Sequence, residues 1–387
     1  MTYPAIPLGD LVSPRPGTRN PATGGEGTFT YVDLESIDRE TKAISSPKVT
    51  ICKDAPSRAR KLIRADDVLV ALVRPNLNAV AVVPPELDNE IASTGFCVLR
   101  AAERVLPKYI YFAVRSPTFI NGLCGLVSGA LYPAVTESQV LSQRIPVPPI
   151  DEQRRIVDLL TRAENVVRMR REAERKAKEI IPALFLDMFG DPGRNPKGWD
   201  IARVEDCCTL VRGSSPRPQG DPRYFGGPVP RLMIADITRD GIYVTPRIDS
   251  LTPAGAERSR PMKCGDVVMA VSGACGLPAI LAVDACIHDG FVGFRSLNER
   301  IRAEYLYTFL AVIREETEKQ AVGATFQNLK TDQIRAWKIP IPPIQIQDSF
   351  VARAKSLRRL GDDIAHASRY ADSTFQSLLT LVFGEAV

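Results

Sequence analysis

The sequence predicts an α/β (α+β) protein in which two mixed globular domains alternate with two long helices, and three observations carry this. Residues 145–190 recur without a gap as residues 339–384: Ile145 returns as Ile339, Pro149 as Pro343 and Phe189-Gly190 as Phe383-Gly384, always 194 positions on. Each copy opens on a proline-rich hinge (Ile145-Pro-Val-Pro-Pro and Ile339-Pro-Ile-Pro-Pro), then runs on with apolar residues three and four apart. Proline lacks an amide donor and holds its predecessor extended, so the hinge ends one structure. The spacing that follows is that of a coiled-coil seam. Finally, the stretch before each copy shows the same order of strand and turn signals. The expected layout is residues 1–144, first globular domain; 145–190, first hinge and helix; 191–338, second globular domain; and 339–387, second hinge and helix.

In the first helix the seam spacing picks out Ile156, Leu159, Ala163, Val166 and Ile180; in the second it picks out Phe350, Leu357, Leu360, Ile364 and Leu378. Neither stripe is expected to be buried alone, so the helices are expected to pair. A pseudo-two-fold axis relating the halves makes the pair an antiparallel coiled coil with the globules at opposite ends. The first helix is expected from about Asp151 to Ile181, where Pro182 should kink or end it. Such a helix, at ~1.5 Å per residue, is roughly 46 Å long. At ~3.4 Å per base pair that is on the order of 14 base pairs, enough to set two reading heads about one duplex turn apart.

The globular halves repeat more loosely. Each opens on a short apolar and acidic segment, from Ile6 and from Trp199, then enters a loop rich in Pro, Gly and Arg. Extended segments follow at Phe29–Ile37 and Pro230–Ile237. An acidic turn next leads into a β-prone hairpin, Asp67–Val73 with Ala79–Val83 in one half and Asp266–Val271 with Ala279–Val283 in the other. β-branched runs around Gly, Pro and Asn clusters are the usual strand signal. Aromatic helices follow at Tyr109–Phe112 and Tyr305–Phe309, then glycine loops at Gly129 and Gly323. The offset between halves drifts from about 194 to about 200, which places the insertions in loops.

Composition sets outer bounds. A hydrophobic content of 44% and a charged content of 25% over 387 residues fit soluble domains, and the net charge of +5 permits a nucleic-acid partner without demanding one. The opening stretch has no basic region followed by an apolar core, so no signal peptide is expected there, and no run approaches a membrane span. Eight cysteines lie scattered without CxxC spacing, and a reducing cytoplasm is the default location.

The order domain, long helix, domain, long helix resembles the specificity subunit of type I restriction–modification systems. The resemblance covers essentially the whole chain. Its most specific signals are the hinge with its Glu152-Gln153 helix start and the loop Arg212-Gly-Ser-Ser-Pro-Arg-Pro-Gln-Gly-Asp-Pro-Arg-Tyr-Phe225. The second hinge departs from the pattern, with Ile346-Gln347 in place of Glu-Gln. The resemblance implies a non-catalytic DNA-binding adaptor of phage defence and DNA methylation, in which two target-recognition domains each read half of a split target. It implies two methyltransferase (modification) subunits on the paired helices, with restriction subunits as further partners. S-adenosylmethionine and ATP then belong to the partners, with no cofactor and no metal in this chain.

Residue chemistry nominates DNA contacts. Arginine pairs with guanine, Asn and Gln read adenine, and Ser or Thr hold phosphate. On that basis the first domain offers Arg15, Arg19, Asn20, Arg58, Arg60, Lys61, Arg74, Asn76 and Asn78; the second offers Arg212, Ser214, Ser215, Arg217, Gln219, Arg223 and Arg231. The charged stretch Arg168–Lys178 reads as a solvated helix face with i,i+4 pairs. Other classes have little material. Asn20-Pro21 and Asn195-Pro196 lack the following Pro-aromatic of an amino-methyltransferase motif. Asp33 with Glu40-Thr41-Lys42 has the residue types of a metal-dependent nuclease but no counterpart in the second half, and Cys264, Cys275, Cys286 and His288 lack paired zinc spacing. A structural adaptor whose globules bind protein instead of DNA is the alternative from a different class.

Overall fold

A computed structural model describes residues 3–13, 17–23, 26–127, 133–320 and 329–384. Arg15 and the glycine loops at Gly129 and Gly323 lie outside the described residues. The chain divides into two compact units, Met1–Glu174 with Ile364–Val387, and Arg175–Asp363. The division falls inside both long helices and not at the hinges. Each unit therefore takes one globule, part of the first long helix and half of the second.

Two larger sheets form the body of the first unit. In one, the strand Thr28–Val32 lies between Lys48–Ile51, antiparallel to it, and Ile91–Ser93, parallel to it, with Ala59–Leu62 antiparallel at the far edge. In the other, Val68–Ala71 lies between Phe96–Leu99 and Val80–Val82, antiparallel to both. Every residue of Val68–Ala71 and Phe96–Leu99 is buried, which is why these strands read as continuous apolar runs without polar alternation. The hairpin turn begins at Arg74 and ends at Asn78, both left-handed (φ 52° and 48°); asparagine accepts that backbone readily, arginine less so.

The second unit repeats the plan. Phe225–Leu232 lies between antiparallel Asp249–Leu251 and parallel Ala285–Ile287, with Arg260–Met262 beyond. Val267–Ala270 lies between Phe291–Arg295 and Pro278–Leu281, and Thr209–Arg212 and Tyr243–Val244 widen that sheet to five strands. The four-stranded sheets match strand for strand in order and sense, and the three-stranded sheet matches the central three of the five, so the loose sequence repeat is a repeat of topology.

Each hinge is a strand. Arg144–Pro146 pairs antiparallel with Ala5–Pro7, and Lys338–Ile341 with Asp200–Arg203. Two side chains tie each hinge to its globule. The Tyr109 hydroxyl donates to the Pro146 carbonyl at 2.7 Å, and Tyr305 to Pro340 at 2.7 Å. Gln153, fully buried, accepts from Leu106 N at 2.9 Å and donates to the carbonyls of Arg104 (3.0 Å) and Pro148 (2.9 Å). Gln347 does the same with Arg302 N (2.9 Å), Arg300 O (2.8 Å) and Pro342 O (2.9 Å). An amide is needed because only it both accepts and donates twice. Gln153→Ala strands the buried Pro148 carbonyl and removes the partner of two part-buried backbone groups, and is expected to cost about 2–4 kcal/mol, since each unsatisfied buried group costs ~1–3 kcal/mol and solvent relieves the other two only in part. Urea unfolding checks this; a loss below ~1 kcal/mol would mean that the backbone finds other partners.

Both long helices run 40 residues, Ile150–Phe189 and Ile344–Phe383. Of the two outcomes expected at Pro182, a kink or an end, the helix does not end there. Proline there removes one internal bond, to the carbonyl of Lys178, on a turn exposed to solvent that supplies a replacement partner. Beyond it, Phe185 and Phe189 are buried and hold the last turns in place.

Within each unit the helices run antiparallel. The first unit's core takes Leu160 and Val167 from the early first helix and Phe375, Leu379 and Phe383 from the late second helix, with Ile156, Ala163 and Leu378 packed beside them. Arg171 and Asp372 pair across the two at 2.6 Å. The second unit's core takes Phe185 and Phe189 from the end of the first helix and Phe350 and Ala354 from the start of the second. Leu357 and Ile364 are half-buried. Leu159, Val166, Ile180 and Leu360 correct the predicted seam: they are 40–51% exposed, and in the first helix their neighbours Leu160, Val167 and Ile181 turn inward instead. A strict heptad assumes one partner helix. These helices also cover a globule, so the buried stripe is wider and displaced by one residue.

Candidate nucleic-acid interface

In the first unit the candidate loop is laid along a strand edge by backbone bonds. Leu62 N donates to Gly17 O (2.9 Å), Arg19 N donates to Arg60 O (2.9 Å), and Thr18 bridges to Lys61. Arg19, Asn20 and Arg58 are exposed there, and Arg60 is half-buried. Asn20 also shapes its own turn, its side-chain oxygen accepting from Ala22 N at 3.2 Å. Lys61 does not belong to this surface. It is buried, its ammonium donating to Phe96 O at 2.7 Å and pairing with Glu137. Its neighbour Arg60 sits at a register shift in the strand, and the alternation of the strand turns Lys61 inward.

Arg74 and Asn76 are exposed on the hairpin turn of the other sheet. Asn78 turns inward, donating to Arg115 O at 3.3 Å, while its own carbonyl accepts from Lys42 at 2.5 Å. Burial, then the nearby charges of Arg115 and Arg171, lowers the Lys42 ammonium to about 8. The nuclease-like set is put to other uses. Asp33 caps the turn Leu34–Ser36 and pairs with Lys48 at 2.6 Å, and Lys42 holds Asn78.

In the second unit a polar network braces the loop. Ser215 donates to Asp289 at 2.6 Å and accepts from Arg231 at 2.9 Å, and Arg217 lies 3.6 Å from the other Asp289 oxygen. The Ser215 hydroxyl holds the Asp289 carboxyl below its ordinary range, against the opposing effect of burial. Ser214 donates to Arg258 O at 3.3 Å. Arg217 and Gln219 are exposed; Arg223 is exposed but gripped through two nitrogens by Asp221 (2.6–3.1 Å). Arg212 donates to Leu329 O at 3.4 Å from the end of its strand. Arg231, nominated as a DNA contact, is instead buried and paired with Asp249, so it supports the loop from beneath. His288 Nδ1 accepts from Gly290 N at 2.9 Å, and burial, then the Arg231 charge, lowers its pKa. Cys275 and Cys286 are buried and Cys264 is exposed, and among the described residues no group of three metal-ligating side chains is assembled.

Two exposed arginines were missed, Arg258 and Arg260. The signal was present: they stand 200 positions after Arg58 and Arg60, the offset to which the repeat drifts. With them, each unit presents guanidinium groups at the edge of the same sheet beside a polar loop. Such a surface has the donor chemistry that phosphate and base-edge contacts use.

Fold and surface together define a chain of two matching α/β domains, each followed by a long helix and each with exposed arginines at one sheet edge. The sequence profile of the type I restriction modification DNA specificity domain matches residues 78–178 and 196–368. The chain belongs to that family. It is 24% identical over 253 residues to the putative type I restriction enzyme MjaX specificity subunit of Methanocaldococcus jannaschii, covering 61% of this chain and 56% of that protein. It is 27% identical over 283 residues to the HindI specificity subunit of Haemophilus influenzae, covering 54% and 61%. The chain thus spans well under two thirds of the length of these curated relatives. A chain of a solved structure described as the basis of "complex assembly and conformational transition of the type I R-M system" is 30% identical, with a TM-score of 0.70, covering 98% of this chain and 97% of that one. The S subunit from M. genitalium, 11% identical at a TM-score of 0.55, shares the fold.

Proposed function

We propose that this chain is the DNA-reading, non-catalytic specificity subunit of a type I restriction–modification complex, each globule reading one half of a split duplex target. The observation that carries this reading is the repeated sheet with exposed arginines at one edge and a divergent polar loop beside it. Two methyltransferase subunits dock on the long helices; Leu159, Val166 and Met169, exposed along one face of the first, supply an apolar stripe for that contact. Restriction subunits join the same assembly, and S-adenosylmethionine and ATP bind to the partners. A cytoplasmic site of action fits this role, and among the described residues no helix is long and apolar enough to cross a membrane.

Selection from random duplex DNA, with the full chain and its candidate methyltransferase, tests the reading. The expected product is a split motif with a fixed gap, and Arg217→Ala should relax one half of it only. A single continuous motif would show that one domain reads DNA. No enrichment at low salt would sink the proposal and favour a protein-binding adaptor.

A further inference from the structure

We propose that Arg58 with Arg60, and Arg258 with Arg260, are the same phosphate clamp built twice, leaving base readout to the loops that differ between the halves. This rests on the DNA-reading function above and adds a division of labour within it.

The equivalence is one of backbone and not of spacing alone. Ala59 N closes a turn onto Pro56 O at 2.9 Å, and Ser259 N closes the matching turn onto Ala256 O at 3.1 Å. Ala59 and Ser259 are both buried, and each turn leads into the outer strand antiparallel to Ile91–Ser93 or Ala285–Ile287. Arg58 and Arg258 therefore occupy one position in the two domains. Arg60 and Arg260 follow at the strand entrance but not at one ladder position: Arg60 is the extra residue at the register shift between Ala59 and Lys61, and Arg260 pairs with Ile287 where Lys61 pairs with Ala92, so the two guanidinium groups stand one residue apart in the matched turns.

Three of the four side chains are steadied without being neutralised. Arg60 donates to Ala59 O at 2.7 Å, Arg260 Nε donates to Arg212 O at 3.0 Å, and the Arg258 guanidinium lies 4.8 Å from the Tyr224 ring centroid. Among the described residues none of the four is in an ion pair, whereas Arg223, Arg239 and Arg302 each hold a carboxylate within 2.7 Å. Beside each turn the polar loop differs entirely: Thr18-Arg19-Asn20 in one half, Ser214-Ser-Pro-Arg217 in the other. Residues repeated in two heads that read different half-sites carry no sequence information. What the half-sites share is the phosphate backbone, and phosphate contacts set position while base contacts specify.

The test compares R58A/R60A and R258A/R260A with wild type in the full chain, by binding to duplex DNA across a salt series and by repeating the selection. Each lost phosphate contact lowers the slope of log affinity against log salt by ~0.9, so each double variant should lose nearly two. Affinity should fall alike on all duplexes and the selected motif should stay intact. R58K/R60K and R258K/R260K should restore the slope, because an ammonium still neutralises phosphate although it cannot make a bidentate contact to guanine. They also show that the site folds. A motif changed at one half-site and not restored by lysine would overturn the clamp in favour of base readout, as would unchanged binding. A wild-type chain that binds no duplex overturns the DNA reading itself, and the clamp with it.

Discussion

Replacing Phe350 with alanine is expected to cost about 3–5 kcal/mol, the range for emptying a fully buried aromatic site. Phe350 is 0% exposed and meets Phe185 edge-on at 5.7 Å and Phe189 at 5.3 Å, and Phe189 in turn meets Tyr305 at 4.9 Å. Edge-to-face pairs of this kind add ~0.5–1.5 kcal/mol to simple burial. The cluster joins the start of one long helix, the end of the other and the hinge-bound tyrosine, so its loss loosens three elements together. Urea unfolding of the full chain, followed by tryptophan fluorescence of Trp199 and Trp337, is the measurement. A shift under ~1 kcal/mol would show that the neighbouring rings collapse into the space and that the cluster is not what holds the second unit.

Arg231→Ala should be the next most damaging change. It removes the partner of Asp249, whose side chain is only 28% exposed, and frees the Ser215 hydroxyl from its donor. Breaking a buried pair costs ~3–5 kcal/mol; the residual solvent contact of Asp249 brings the expectation here to about 2–4 kcal/mol. Removing both charges should hurt less, because most of that cost is the carboxylate left behind. R231M/D249L is therefore expected to recover much of the stability in thermal unfolding. If the double variant is as unstable as the single one, the pair contributes through its packing and not through its charge.

The comparison of sequence with structure turns on what was local and what was tertiary. Both hairpins, both hinges and both long helices were legible, because a buried strand shows as an apolar run and a long helix as a spacing, and the repeat doubled each signal. The seam register was legible only to within one residue, since the sequence does not show that each helix faces a globule as well as a helix. Lys61 and Arg231 look like surface cations in sequence; their burial depends on Glu137 and Asp249, 76 and 18 positions away. Pro182 reads as a kink or an end, and the helix continues through it because residues beyond it are anchored in a core. Arg258 and Arg260 are legible as the 200-position repeats of Arg58 and Arg60, but they lie in charged turns that the apolar strand pattern does not mark.

Because the division between the units runs through both helices, the two units stand differently in time as the chain is made. The second, Arg175–Asp363, is continuous and has all its residues once Asp363 has been added. The first is interrupted: Tyr109 and Phe112 pack against Phe383 and Phe375, which are synthesised only after the whole of the second unit. At roughly 5–20 residues per second, that delay is on the order of 10–40 s. For that interval the N-terminal globule carries an open aromatic face on the nascent chain, and the unit begun first is the unit finished last.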